Sequence, residues 1–337
     1  MYHPLWTALG LLLIAVGIVD AAWTTLSVRG AGPISTIVAD AAGRLAKKGR
    51  PLIAENSPMI ALTASAAIWG LLHWAGWTAV FCGEHDAVVT STLKEPAGFV
   101  ERIYYAGFTL TTLGVGDLVA GEGTWQIATV LAAANGFTLF TLLVTYTFSL
   151  LGALNTRRAI GLAVDHMGGS PEAILSLLPD GGAQALSTRL LDLTNQLEMS
   201  AVQTDAYPVL KHAYSRSDGG SFALAVVALG ETSLLLEHVI HPDDRLSAAV
   251  SRPLRRVVNL LADESCHDGE PPAAPPLPDF DRLRQTGLRL NDNPGKAFQA
   301  EAVERQRSHW LAWLHWHGHH WSSMQPNTQP STAACSR

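Results

Sequence analysis

The chain has 337 residues, of which 48% are hydrophobic and only 15% are charged, and its mean hydropathy is +0.17. About 25% of the residues of a soluble domain are usually charged, so this composition favours a membrane protein. The net charge of −6, without a basic block interleaved with aromatic residues, argues against a nucleic-acid-binding protein. Three scattered cysteines, none of them in a CxxC pair, are too few for a disulfide framework.

Three segments are long and apolar enough to cross a bilayer, which takes about 20 mostly apolar helical residues. They are residues 5–26, 59–82 and 127–154. The first contains a single charged residue, Asp20, for which we expect either an interface position or a basic partner in the following loop. Because no Lys or Arg precedes this segment and no clear cleavage pattern follows it, we expect a retained helix and not a signal peptide.

The distribution of basic residues predicts the orientation, since Lys and Arg in loops are retained on the cytoplasmic side. Residues 28–57 contain five such residues, namely Arg29, Arg44, Lys47, Lys48 and Arg50. The loop 83–124 contains only Lys94 and Arg102 and carries six acidic residues. We therefore expect the N-terminus outside, an acidic outer loop suited to a cation, and everything after about residue 155 in the cytoplasm.

Residues 99–111, inside the outer loop, show apolar residues at helical spacing after Pro96. This predicted helix is too short to cross the membrane. A short apolar helix followed by a glycine-containing extended stretch, between two full spans, is typical of a re-entrant loop.

The sequence that follows this helix is T-T-L-G-V-G-D, with its filter-like part at Thr112, Leu113, Gly114, Val115, Gly116 and Asp117. It resembles the TTVGYGD signature of the potassium channel family, and the resemblance covers residues 58–155 as outer helix, pore loop and inner helix. The resemblance implies a prokaryotic pore-loop channel that conducts K⁺ passively, with K⁺ as the permeant ion and no further cofactor. It implies backbone coordination of K⁺ at Thr112, Leu113, Gly114 and Val115. Because the chain holds one such loop, it also implies a homotetramer.

The residue types in this motif suit a filter lined by backbone carbonyls. Successive carbonyls are aimed inward by alternating ordinary and left-handed dihedrals, and only glycine adopts φ > 0 without a steric cost. Gly114 and Gly116 are placed to do so, the Thr112 hydroxyl would add an inner oxygen, and Asp117 would hold the outer end or attract cations.

Two departures from the family pattern bear on selectivity. Leu113 replaces the usual Val, and Val115 replaces the usual Tyr, which removes a phenol that could hydrogen-bond behind the filter. The alternative function is therefore a non-selective monovalent cation channel. A third possibility is a non-conducting membrane receptor or scaffold in which the T-L-G-V-G-D loop is incidental.

Gly136, near the middle of the third span, is a candidate gating hinge, since glycine lowers helix propensity by about 1 kcal/mol relative to alanine. The alternative is close helix packing, because small residues let membrane helices approach each other.

The sequence of the remaining chain predicts a helical cytoplasmic domain. Because it contains no catalytic or phosphate-binding motif, we do not expect an enzyme. The predicted organisation is an N-terminal helix and basic loop over residues 1–57, a pore domain over 58–155, a helical domain over 156–268 and a Pro-rich linker over 269–278. A C-terminal segment over 279–337 completes the chain, with a disordered tail from residue 322. Its His- and Trp-rich stretch, 309–321, is either a metal site or a helix that docks on the membrane or on the domain.

The predicted fold class is an all-α membrane protein with three transmembrane helices, in the plasma (inner) membrane.

Overall fold

A computed structural model describes residues 3–48, 56–179, 181–213, 220–263 and 272–324 of the chain. The chain divides into two compact units. Unit 1 comprises Met1–Lys47, Ser57–Leu151 and Asp205–His212, and unit 2 comprises Lys48–Asn56, Gly152–Thr204 and Ala213–Arg337.

Unit 1 is mostly helical and contains the predicted spans. Its elements in chain order are α1 (Pro4–Leu26), α2 (Pro33–Lys48), α3 (Ser57–Phe81), β1 (Val88–Thr90), α4 (Phe99–Leu110), β2 (Leu118–Ala120) and the first part of α5 (Thr124–Asp165). Helices α1, α3 and α5 are long and apolar enough to cross a membrane, which makes them candidate membrane helices at the three predicted positions. Helix α4 coincides with the predicted short helix, whereas α5 continues beyond the predicted end of the third span.

Two parts of unit 1 contain secondary structure that the sequence did not predict. Strands β1 and β2 form an antiparallel pair in which Val88 faces Ala120 and Thr90 faces Leu118. Strands of three residues are too short to produce a recognisable alternation, so the sequence did not indicate them. Helix α2, which begins with Pro33 at its first turn, occupies most of the segment that we predicted as a basic loop.

Helices α1 and α3 pack closely because glycines lie at their contact. A Cβ atom at Gly10 would lie 2.4 Å from the carbonyl oxygen of Gly76, and a Cβ at Gly17 would lie 2.6 Å from the ring of His73. Small residues allow the backbones of membrane helices to approach in this way. The His73 ring is buried, and its Nδ1 lies 2.7 Å from the Trp69 carbonyl oxygen.

Asp20 of α1 joins three helices through its buried carboxylate. The carboxylate accepts hydrogen bonds from the Ile34 amide of α2 (2.8 Å), the Ser35 hydroxyl of α2 (2.7 Å) and the Trp69 indole of α3 (2.9 Å). A carboxylate at the first turn of a helix is also favoured by the helix dipole. Hydrogen bonds at the start of α2 therefore replace the basic partner that we expected for Asp20.

Unit 2 is a helical bundle around one buried helix. Its elements are the remainder of α5, α6 (Pro171–Leu175), α7 (Ala183–Ala206, which ends in unit 1), α8 (Phe222–His238), α9 (Ala248–Asp263), α10 (Phe280–Gln285), α11 (Pro294–Phe298) and α12 (Glu301–Trp316), with short 3₁₀ turns between and after them. Every residue of α8 from Ala223 to Leu236 is buried. A helix that is apolar on all sides forms the centre of a core, and here the surrounding helices supply its partners.

The His- and Trp-rich stretch packs into unit 2. Trp310, Trp313 and Leu314 of α12 belong to the apolar core of the unit, and His319 lies 2.9 Å from the Ser221 hydroxyl. Among the described residues, no group of three or more His, Cys, Asp or Glu side chains could hold a metal ion. Of the two alternatives, the structure supports docking on the domain.

The predicted linker and tail also take part in unit 2. The carbonyl oxygens of Pro275 and Pro276 accept hydrogen bonds from Arg307, at 3.1 and 2.7 Å. The predicted tail began at residue 322, but Trp321–Met324 is a 3₁₀ turn, which corrects that boundary. The rest of the predicted tail, 325–337, and the start of the linker, 269–271, lie outside the described residues.

Candidate functional site

The segment between α4 and β2 has an alternating backbone. Thr112, Gly114 and Gly116 have φ of 56°, 59° and 87°, whereas Leu113 and Val115 between them do not have positive φ. Glycine enters the left-handed region without a steric cost, which explains two of the three positions. The alternation at Gly114 and Gly116 is the backbone pattern that the sequence predicted.

Thr112 adopts a conformation that is unusual for its residue type. A β-branched residue with positive φ is a genuine outlier, and the left-handed conformation costs an L-residue roughly 1–2 kcal/mol. The Thr112 hydroxyl donates a 2.7 Å hydrogen bond to the Thr111 carbonyl. Strain of this kind persists where surrounding contacts enforce it, often at functional sites. Nothing in the sequence indicated it, because threonine gives no sign of a left-handed backbone.

Hydrogen bonds hold the segment at both ends. At its start, the amides of Thr112 and Leu113 donate to the carbonyls of Thr109 and Phe108 in α4, at 3.0 and 2.8 Å. At its end, the Asp117 carbonyl accepts a 2.9 Å hydrogen bond from the Ser91 amide, just beyond β1. The β1–β2 pair thus fixes the Asp117 end of the segment, and α4 fixes the Thr112 end.

The Asp117 side chain stabilises the turn into β2. Its Oδ1 accepts a 2.9 Å hydrogen bond from the Leu118 amide. The side chain of Tyr104 on α4 lies near the same carboxylate. Asp117 is exposed, so its charge also faces solvent at this end of the segment.

The middle of the segment is exposed in the single chain. Leu113 is 69% exposed and Val115 49% exposed. No atom would lie within 4 Å of a Cβ at Gly114 or Gly116.

Arg102 is a buried cation that connects the elements around the segment. Its guanidinium donates to four backbone carbonyls, those of Ala97, Phe81, Glu84 and His85. These carbonyls belong to the end of α3, the turn after it and the residue before the cap of α4. The sequence analysis counted Arg102 only as one of two basic residues in the outer loop, because a pattern search cannot identify backbone partners.

Gly136 of α5 lies against the end of α4. A Cβ atom at Gly136 would be 2.0 Å from the Leu110 carbonyl oxygen. The neighbouring Asn135 accepts a 3.0 Å hydrogen bond from the Trp77 indole of α3. Helix α5 continues without interruption through both residues, so the structure supports close packing here, and the hinge role of Gly136 stays a prediction.

Comparison with known proteins identifies the class of this site. Residues 67–153 match a protein-family model described as an ion channel. This part of the chain is therefore similar to ion-channel domains. The matched residues include α4, the alternating segment and Gly136, and they end close to the boundary of unit 1.

A curated relative extends the likeness over most of the chain. An uncharacterized membrane protein of Bacillus subtilis, YdjJ, is 28% identical over 291 residues, which cover 83% of this chain and 84% of the relative. The likeness therefore includes unit 2 as well as the channel domain. No solved structure matches the chain.

Proposed function

We propose that this protein is a subunit of a potassium-selective channel, in which the backbone carbonyls of Thr112, Leu113, Gly114 and Val115 replace the water shell of K⁺. The alternation of φ sign from Thr112 to Gly116 carries the proposal. Dehydrating a cation is costly in a low-dielectric medium, so a selective path needs closely spaced oxygens in its place. This backbone pattern turns successive carbonyls to one side without using any side chain.

A homotetramer follows from the same reasoning, since one chain supplies one row of carbonyls and the path needs several rows around an axis. Two observations support assembly through unit 1. In the most apolar 18-residue stretch of α5, only 6% is buried inside the chain, so nearly all of this stretch is accessible. An apolar groove of about 950 Å³ runs beside the segment, between α3, α4 and α5, and includes Trp74, Phe108 and Phe140. We propose that neighbouring subunits occupy these surfaces.

We further propose that the protein lies in the plasma (inner) membrane with its N-terminus outside. The excess of Lys and Arg in residues 28–57, compared with 83–124, supports this orientation. It places α4 as a re-entrant pore helix, β1, β2 and Asp117 on the outer side, and unit 2 in the cytoplasm. K⁺ then moves passively down its electrochemical gradient.

A non-selective cation channel is the second candidate, because Val115 carries no group that could hydrogen-bond behind the filter. In the single chain the Val115 side chain is 49% exposed, and no atom would lie within 4 Å of a Cβ at the adjacent Gly114 or Gly116. Without such support, the filter backbone can move more easily to coordinate a smaller ion such as Na⁺. The receptor or scaffold alternative is less favoured, since the matched family is described as an ion channel.

Ion flux into liposomes that contain the purified chain tests the proposal, with K⁺ and Na⁺ compared across a range of pH and voltage. We expect K⁺ flux that greatly exceeds Na⁺ flux, and its loss in Gly114→Ala, which forces an L-residue into positive φ. The matched control is Gly152→Ala, since Gly152 has neither positive φ nor any atom within 4 Å of an added Cβ. Equal K⁺ and Na⁺ flux would support the non-selective channel. No flux of either ion under any condition would contradict conduction.

A further inference from the structure

Unit 2 contains a buried ion pair at the wall of a cavity. The Arg307 guanidinium of α12 donates a 2.6 Å hydrogen bond to Oε1 of Glu231 on α8, and the two side chains are 1% and 3% exposed. Arg307 also donates to the Pro275 and Pro276 carbonyls. Its guanidinium lies 5.0 Å from the ring centre of Phe298 and 5.4 Å from that of Trp321. Each of the three guanidinium nitrogens thus donates a hydrogen bond within this chain.

The Glu231 carboxylate is only half satisfied. No donor among the described residues reaches its second oxygen, Oε2, although the side chain is almost completely buried. Glu231 lines a cavity of about 360 Å³, which we call the Glu231 cavity. A carboxylate that lines a cavity can accept a hydrogen bond from a ligand there, which offsets part of the cost of burying its charge.

The charges around the Glu231 cavity favour a cation over an anion. Glu172 of α6 and Asp279, which caps α10, supply two further carboxylates, and Arg282 is the one cationic wall residue besides Arg307. Arg282 and Asp279 are both exposed, and each nitrogen of the Arg307 guanidinium already donates a hydrogen bond within the chain. A ligand that brings a positively charged donor therefore meets an acceptor that nothing else occupies.

The remaining walls favour an organic ligand over a metal ion. Leu277, Trp321 and Met324, together with three prolines, form the apolar part of the lining. Among the described residues, no cluster of three or more acidic, His or Cys side chains could hold a metal ion. Small-molecule sites typically have volumes of about 300–1,000 Å³ and combine apolar walls with a few polar groups.

We propose that the Glu231 cavity binds a small organic cation, whose ammonium group donates to Glu231 Oε2 and faces Glu172 while its apolar body lies against Trp321 and Leu277. The residues of this site belong to unit 2 and not to the filter segment, and its test does not depend on ion flux.

Protonation of Glu231 competes with such a ligand. Burial raises the pKa of Glu231 to about 7, while Arg307 lowers the pKa and the nearby Glu172 raises it further. At pH 6 the carboxyl is mostly protonated, and at pH 8 it is mostly ionised. Since the ammonium group binds the ionised form, affinity should rise about tenfold between these values.

Calorimetric titration of the full chain in lipid nanodiscs, with empty nanodiscs subtracted, tests the proposal. Three probes share one indole body and differ in charge: tryptammonium, the neutral 3-indoleethanol and the anionic indole-3-acetate. We expect tryptammonium to bind about tenfold or more tightly than the other two, with the stated gain between pH 6 and pH 8. Equal binding of the three probes, or no binding below about 10 mM, would overturn the proposal.

Three variants assign the binding to the cavity. Glu231→Gln should weaken tryptammonium binding about tenfold or more and remove its pH dependence. Glu172→Gln leaves the ion pair intact and should weaken binding several-fold, so it keeps the test decisive if the first variant fails to fold. Glu301→Gln makes the same change at a side chain that is 86% exposed, and should leave affinity unchanged. If both cavity variants bound tryptammonium with wild-type affinity, binding at the Glu231 cavity would be contradicted.

Discussion

The Leu110 carbonyl oxygen at the end of α4 lies directly against the Cα atom of Gly136 on α5, at a position where a Cβ would come within 2.0 Å. The clash would be with backbone, which cannot rotate away. We therefore expect Gly136→Ala to displace the end of α4, to lower the thermal unfolding midpoint, and to abolish most ion flux in liposomes. A defect of this kind typically costs about 1–3 kcal/mol.

The same measurement separates packing at Gly136 from the hinge role. If flexibility were the main function of Gly136, alanine would raise helix propensity by about 1 kcal/mol and the midpoint would increase. Gly152→Ala is the control on the same helix. An added Cβ there meets no atom within 4 Å, so its midpoint shows the effect of helix propensity without a clash. A midpoint of Gly136→Ala above the Gly152→Ala value would contradict close packing.

Arg102→Lys should destabilise the channel domain although it conserves charge. The guanidinium donates to four carbonyls from three parts of the chain, and a single ammonium group cannot reach all of them. Loss of two charge-assisted hydrogen bonds should cost roughly 3–6 kcal/mol, seen as a lower unfolding midpoint. Arg158→Lys, an exposed change of the same type on α5, is the control. Equal midpoints for the two variants would show that the Arg102 bonds contribute little.

Features that depend on local pattern could be predicted from the sequence, whereas features that depend on remote partners could not. The spans and α4 follow from apolar length and helical spacing, and positive φ at Gly114 and Gly116 follows from glycine itself. Strand β1 forms because it pairs with β2, which lies thirty residues further along the chain. The roles of Asp20 and Arg102 are set by backbone groups, which carry no sequence signal.

Asp20→Asn should loosen the contact of α1 with α2 and α3. An asparagine side chain has one acceptor oxygen in place of two, so at least one of the donors from Ile34, Ser35 and Trp69 loses its partner. We expect a loss of about 2 kcal/mol in the free energy of unfolding. Glu122→Gln, an exposed change in the same unit, should have no effect.

A double-mutant cycle with Trp69→Phe tests whether this loss arises at the Asp20 carboxylate. Both changes remove the same 2.9 Å hydrogen bond, so their effects on unfolding should be less than additive. Strict additivity of the two effects would show that the indole does not stabilise the protein through Asp20.

The buried Glu231 should make unfolding of unit 2 depend on pH near neutrality. Burial raises the pKa of its carboxyl from 4.5 to about 7, so the folded state retains a proton that the unfolded state has lost. The resulting stabilisation is fully present below about pH 4.5 and is lost as the pH rises through about 7, with a total of up to about 3 kcal/mol. Glu231→Gln lacks this titration. Thermal unfolding of the full chain, measured from pH 5 to pH 8, should therefore show a midpoint that falls more steeply with pH in the wild type than in Glu231→Gln. Parallel midpoint curves for the two proteins would contradict a raised pKa at this carboxyl.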